Sequence, residues 1–274
     1  MVGRPPLERL IGVRVPDRQQ IMMNIKNHNN YLFVFAHPDD EIYCCNLIEN
    51  LINAGKRVHT IYVTSGDRAG VGDQREKESL TALASIGVIE KNIYFLRISE
   101  NDVLNKISDI VSKSVDIARV LEIDCLITHD YEGGHEAHDV VSFSGSEIVR
   151  LLSIPNHYVF PLYHGKPQER KGARFNPTRT DFIILPLGKE GKELKKKVLE
   201  SHSSQKAHFS GLQKSASDYM DLLLTREVFM KIDQPIDFTV KPMSEIGYEF
   251  HRNGFKFSDF QNSLDKYKIL ARKY

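Results

Sequence analysis

The stretch 31–41, YLFVFAHPDDE, opens the reading of this chain. Residues 31–36 are apolar and rich in strand formers, so they read as a short buried strand. The run stops at His37-Pro38. Proline has no N–H for a sheet ladder, so the chain must leave the sheet there. An imidazole and three carboxylates, His37, Asp39, Asp40 and Glu41, are thereby crowded onto a strand-to-helix turn. Just downstream, Ile42, Cys45, Ile48 and Ile52 recur at helical spacing, and Gly55 suits a C-terminal stop.

Further along, the same alternation repeats. Residues 58–63 read as a strand leaving through Thr64-Ser65-Gly66, and 74–86 as a helix ended by Gly87. A strand over 93–96, a helix over 103–121 and a strand over 125–128 follow, then a loop over 129–134 and a helix over 138–151. Strand and helix in turn predict an α/β fold: a Rossmann-like, mostly parallel sheet with helices on both faces, in a single domain. After Pro155 the pattern loosens, with strands near 158–162 and 182–185 and a helix over 192–202. From Phe209 onward helical and extended signals mix and support no assignment. Residues 1–30 read as an N-terminal extension and 31–274 as the domain, with 206–274 as a C-terminal elaboration.

Composition narrows the function classes. Thirty-seven basic residues against 36 acidic ones leave a net charge of +1, which offers no electrostatic case for nucleic acid or an anionic membrane surface. No run of eighteen apolar residues occurs, so no transmembrane segment is expected, and a signal-peptide core is missing from the first thirty residues. A cytoplasmic location is the default expectation. Cys44, Cys45 and Cys125 form neither a disulfide framework nor a CxxC motif and read as small buried residues. Lys195, Lys196 and Lys197 read as the solvated face of a helix.

The chemistry comes from convergence. Ligands in parallel sheets sit at the carboxyl ends of the strands. HPDDE follows the first strand, TSG the second and HDYEGGHEAHD the fourth, so all three polar clusters land on one edge. An aspartate at such a turn also serves as a helix N-cap. That accounts for one acid, but not for a histidine beside two aspartates directly after a buried strand. In the second cluster, His135 and His138 stand at i and i+3 and project from one side of a helix, while Gly133 and Gly134 let the backbone approach a ligand. Together the clusters offer two histidines and an aspartate with a fourth position open, a donor set suited to hydrolytic zinc.

Ala36-His37-Pro38-Asp39-Asp40-Glu41, AHPDDE, resembles the signature of the PIG-L/LmbE-like family of zinc N-deacetylases. Thr64-Ser65-Gly66 resembles that family's T-x-G, and Arg75, Glu78, Ala82 and Ile86-Gly87-Val88 resemble its R-x-x-E-x-x-x-A-x-x-x-L-G-V helix. His135-x-x-His138 resembles its second histidine motif, and residues 197–205, KVLESHSSQ, its K-x-x-x-x-x-H-x-S-Q trait. The resemblance implies one zinc ion (Zn2+) per chain, bound by His37, Asp40 and His138. It implies Asp39 as the general base, His135 as the group stabilising the oxyanion, and a small-molecule amino sugar such as an N-acetylglucosamine conjugate as substrate. Arg75 is the expected contact to sugar hydroxyls, with a solvated surface arginine as its alternative, and the family is compatible with a homo-oligomer. One position departs: the family's second motif often reads H-P-D-H, whereas Ala137 stands here at the aspartate. Glu136, Asp139 or Glu132 are the candidates to orient His135 instead. Nothing in their spacing brings His157, His164 or His208 to the site, and His202 has a claim only through H-x-S-Q. The competing readings are a catalytically weakened zinc- or glycan-binding member and a magnesium-dependent phosphoacceptor module. The latter leaves His37, His135 and His138 without work.

Overall fold

In the computed structural model, which describes residues 25–67, 70–250 and 254–271, the YLFVF run is an interior strand of a seven-stranded sheet. Most of the extension expected over 1–30 lies outside the described residues. Strand β1 (Asn30–Phe35) lies between β2 (Arg57–Thr64) and β4 (Cys125–His129), with β3 (Ile93–Ile98) outside β2 and β5 (His157–Phe160) outside β4. These strands are mutually parallel, with Tyr31 in register with Val58 on one side and Cys125 on the other. A small antiparallel pair, β6 (Tyr163–His164) and β7 (Lys171–Gly172), stands apart. The main sheet is completed by β8 (Phe182–Pro186) and β9 (Arg226–Lys231); β9 runs antiparallel to β5 and to β8.

The period-two alternation of β1 sorts the core into two layers. Tyr31, Phe33 and Phe35 face a cluster with Leu47 and Leu51 of α1 (Cys45–Asn53), Leu83 of α2 (Gly72–Ala84) and Val198 of α5 (Lys189–Ser201). Leu32 and Val34 face the other, with Ile110 of α3 (Ile107–Leu121), Val141 of α4 (Glu136–Leu152) and Leu264 of α8 (Phe257–Ala271). Each fully buried side chain of this kind contributes roughly 1.5–3 kcal/mol. Because both faces are covered, β1 and β4 are buried along their whole length. The remaining helices are α6 (Lys206–Ser215) and α7 (Tyr219–Thr225). Among the described residues no helix is long and apolar enough to cross a membrane.

Strand order reverses at β1, with β2 and β3 to one side and β4 and β5 to the other. That switch point opens a crevice beyond the carboxyl ends of β1 and β4, where the two histidine motifs lie.

Three local readings change. The helix expected from Ile42 begins as a 3-10 turn, Asp40–Tyr43, because Asp39 turns the chain over with φ 125°. Helix α3 starts at Ile107 after a 3-10 turn at Glu100–Asp102, which leaves Glu100 at the carboxyl edge of β3. Lys195 is not on a solvated face: it is fully buried, with Nζ 2.9 Å from Glu227 Oε1. The cause is β9, an element the sequence pattern did not separate, which carries Glu227 beneath α5. The three cysteines are buried and free.

Candidate active site

The turn after β1 supplies the first wall. Asp40 Oδ2 accepts the N–H of His37 at 2.7 Å, and Thr64, at the end of β2, closes the strand pair through Oγ1 to Ala36 O. Arg75 on α2 reaches across this turn. Its Nη2 and Nε donate to Pro38 O at 2.7 and 3.2 Å, its Nη1 donates to Gly66 O at 3.3 Å, and Nη2 also lies 3.2 Å from Asp39 Oδ1. Only 8 % of Arg75 is exposed, so the solvated alternative does not hold. Gly66 makes this possible: a Cβ there would sit 2.6 Å from the Arg75 guanidinium.

The second wall is the start of α4. The helix begins at Glu136, two residues earlier than its pattern suggests, which makes His135 the N-cap; its Nδ1 accepts the N–H of Ala137 at 3.2 Å. A glycine is required at 134, where a Cβ would fall 1.9 Å from Tyr163 O. Of the acids proposed to stand in for the missing aspartate, Glu136 approaches His135, with Oε2 3.5 Å from Nδ1. Asp139 instead accepts the N–H groups of Glu132 and Gly133, and Glu132 those of Leu162 and Tyr163, so these two acids fix the loop and the cleft wall. Asp130 is likewise tied, 2.7 Å from Arg179.

The walls meet. His37 packs edge-on to His135 and His138 at 4.7 and 5.2 Å between ring centres. His138 Nε2 is 3.9 Å from Asp40 Oδ1, and His37 Nδ1 is 3.6 Å from Asp40 Oδ2. Two groups of donor atoms are close enough to share a cation: His37, His135 and His138, and Asp40, His129 and His138. His129, read only as the start of a loop, stacks on His138 at 4.5 Å. Its Nε2 lies 3.0 Å from the Ala36 nitrogen and 3.1 Å from Asp40 Oδ2, so it is already engaged by both, which makes it the poorer ligand of its group. His138 Nδ1 is buried with no hydrogen-bond partner among the described residues, and the buried His37 Nε2 meets only the Glu100 carboxylate, 3.3 Å away and not in hydrogen-bond geometry. A buried imidazole pair of this kind beside a carboxylate fits a divalent cation.

The electrostatics of His138 and Asp40 agree with that fit, while His37 in the absence of a cation is drawn toward its protonated form. Burial, helped by His129, holds the pKa of His138 well below the ordinary imidazole value, so it is neutral and offers lone pairs. Burial would raise the Asp40 carboxyl, but contacts with His129 and His37 reverse this and hold it well below the usual range. Burial also opposes protonation of His37, yet Glu100 and Asp40 outweigh it and shift its pKa upward. Asp39 differs from its neighbour: burial pushes its pKa up to about 6 against the pull of Arg75. A carboxylate titrating there is matched to proton transfer near neutrality.

All six residues expected at the site, His37, Asp39, Asp40, Arg75, His135 and His138, line one cleft of about 350 Å3, within the size range of small-molecule sites. Glu100, Tyr163 and Arg170 line it too and were not read from the sequence; Gln205 of the H-x-S-Q trait lines it as well, and so does His208, whose spacing did not demand it. Glu100 had a usable signal, since it follows β3 at the same sheet edge, and its Oε1 lies 3.3 Å from His37 Nε2. Tyr163 and Arg170, whose guanidinium lies 4.7 Å over the Tyr163 ring, come from an aperiodic connection with none. His202 is fully buried with Nε2 3.0 Å from Glu41 Oε1, beside the turn rather than in the cleft. His157 bonds Thr128 Oγ1 at 2.8 Å, and His164 lies 3.9 Å from Glu132, both away from the donor cluster.

Residues 32–149 match the family described as PIG-L: GlcNAc-PI de-N-acetylase. A probable N-acetylglucosaminyl-phosphatidylinositol de-N-acetylase of Schizosaccharomyces pombe is 32% identical over 139 residues, covering 48% of this chain and 55% of that protein. The chain spans about half the length of the curated relatives it matches. Among solved structures, the N,N'-diacetylchitobiose deacetylase of Pyrococcus horikoshii aligns with a TM-score of 0.58 at 18% identity, over 88% of this chain and all of that one. GalB, the 4-carboxy-2-hydroxymuconate hydratase of Pseudomonas putida KT2440, aligns at 0.52 and 15% identity, over 76% of this chain and 98% of its own. The likeness to these solved structures shows the Rossmann-like fold, and the match to the PIG-L family covers residues 32–149.

Proposed function

We propose that this chain, whose residues 32–149 match the PIG-L family, is a zinc-dependent hydrolase that removes an N-acetyl group from an amino sugar or glycoconjugate. The observation that carries the reading is the meeting of His37, Asp40 and His138 in one cleft with Asp39 and His135 beside them. The fold alone would not carry it, since a hydratase shares that fold.

His37, Asp40 and His138 would hold one zinc ion. When bound, such an ion polarises a carbonyl and lowers the pKa of water. The protein's own groups do the rest. Asp39 takes a proton from the water that attacks the acetamide carbon; as the C–O bond forms, the carbonyl oxygen gains negative charge. His135, whose Nδ1 is engaged by the Ala137 N–H, turns Nε2 toward the cleft as a donor to that oxygen. The proton on Asp39 then passes to the nitrogen as the C–N bond breaks, giving acetate and a free amine. Arg75 restrains the Asp39 carboxylate and remains the candidate for a sugar hydroxyl at the cleft floor.

Zinc content measured beside acetate release tests the reading, using N-acetylglucosamine, diacetylchitobiose and N-acetylglucosaminyl-phosphatidylinositol. About one zinc per chain with acetate from a panel member is the expected result. A chain with no affinity for zinc would overturn it.

A further inference from the structure

We infer that the buried Glu41–His202 pair is a positioning device that holds the backbone of Asp39 so that its carboxylate faces the cleft. This rests on the reading of Asp39 as the base. Asp39 adopts φ 125° and ψ −16°, a conformation sparsely populated by any residue with a Cβ, and it persists only where neighbours over-determine it. Two groups do so. Arg75 clamps the preceding carbonyl, Pro38 O, and the N–H of Asp39 itself donates to Glu41 Oε2 at 2.9 Å.

The second oxygen of Glu41 explains why that acceptor stays in place. Glu41 Oε1 lies 3.0 Å from His202 Nε2, and both side chains are fully buried. His202 is held in turn by its neighbours. Glu78 on α2 accepts the Ser203 hydroxyl at 2.8 Å and the N–H and hydroxyl of Ser204 at 3.0 and 2.6 Å, which pins the turn after α5 to the helix that carries Arg75. The chain of contacts therefore runs from the C-terminal segment through one carboxylate to the strained residue. It employs Glu41, Glu78 and His202, three motif residues that the proposed chemistry leaves without a task. A buried ion pair alone would be a stability feature. The division of one carboxylate between His202 and the Asp39 N–H makes it a positioning feature as well, because His202 is the charged partner among the groups, with Ser79 and Tyr62, that hold the carboxylate, and its removal loosens that hold.

The test uses the zinc-loaded full chain with His202→Leu. The amide of Asp39 should exchange at least about tenfold faster than in the parent, with that of Phe33 in β1 unchanged. Turnover should fall roughly ten- to a hundredfold at constant KM and constant zinc content. His202→Gln, which keeps a donor toward Glu41, should restore most of both. Unchanged exchange at Asp39, or turnover within about twofold of the parent, overturns the proposal. Should His202→Leu not fold, the isosteric Glu41→Gln is read the same way, and unaltered Asp39 exchange is again the overturning result. Asp39→Asn run in parallel separates the two ideas. An active Asp39→Asn removes the base reading while the exchange data still decide the clasp. An inactive one beside an unaffected His202→Leu sinks the clasp alone.

Discussion

As far as Phe160 the chain places its functional groups by topology, whereas beyond Phe160 it places them by reaching back. His37, Asp39 and Asp40 follow β1 and Glu100 follows β3 within a few residues of the strand's carboxyl end, and His135 and His138 open the helix that follows β4. Tyr163 follows the parallel strand β5 by three residues, but Arg170, His202 and Gln205 sit after no parallel strand. They arrive through turns and helices anchored by buried polar contacts: Glu132 to the Tyr163 N–H, Glu41 to His202, and Glu227 to Lys195. In the first region the hydrophobic core fixes the site as a by-product of folding. In the second, individual charged contacts must do it, and each is costly if left half-made. Mutations in the two regions should therefore fail differently, the first losing chemistry with the fold intact and the second losing stability or alignment.

The sharpest contrast comes from the first region. His138→Ala should lose bound zinc and with it essentially all turnover, while its unfolding midpoint in the absence of metal stays close to that of the parent; stoichiometric zinc in this variant would break the ligand set. Asp39→Asn should lose about 10²–10⁴-fold in turnover with zinc retained, since the acceptor of the proton is gone but the donor set is not. Undiminished acetate release would take Asp39 out of the base role.

From the second region, Lys195→Met should destabilise the chain by about 3–5 kcal/mol, because it strands the Glu227 carboxylate in the interior. That carboxylate also accepts the N–H groups of Asn46 and Leu47 at the start of α1, at 2.9 Å each. Denaturant midpoints would measure the loss, and a cost below about 1 kcal/mol would show that the pair does not anchor α5 to β9. Turnover per folded, zinc-loaded chain should change little.

The smallest effect is acid sensitivity from His157 on β5. Burial pushes its pKa down to about 4, below the ordinary value of 6.5. Between those pH values the unfolded chain binds the extra proton and the folded chain does not. The stability this group permits is thus complete above pH 6.5 and lost as pH falls toward 4, by up to about 3 kcal/mol. His157→Gln should flatten that part of the stability–pH curve relative to the parent; parallel curves would refute the assignment.

The same regional contrast explains what could be read in advance. The β1–α4 region announces itself through local signals: an apolar run cut by Pro38, helical spacing closed by Gly55 or Gly87, and polar residues placed where strands end. Those signals located the parallel strands and the two polar clusters that meet in the cleft, but not Glu100, Tyr163, Arg170 or His208, and the PIG-L likeness over 32–149 falls on the same stretch. Lys195 looked like one of three solvated lysines because its partner, Glu227, is remote in sequence and lies on a strand whose REVFMK pattern also suits a helix end. His202 had only its H-x-S-Q context, since nothing local says that a buried glutamate from another turn will meet it. His135 was visible as half of a pair. Its capping of α4 through the Ala137 N–H depends on a helix boundary two residues earlier than the hydrophobic pattern suggests.

Acetate release from N-acetylglucosamine conjugates by the zinc-loaded chain, compared with the metal-stripped chain and with zinc-loaded Asp39→Asn, tests the central claim most directly. Acetate and free amine should appear in equal amounts from the zinc-loaded parent alone. Acetate released equally by the stripped chain, or a zinc-loaded parent that releases none from any N-acetylglucosamine conjugate, would contradict it.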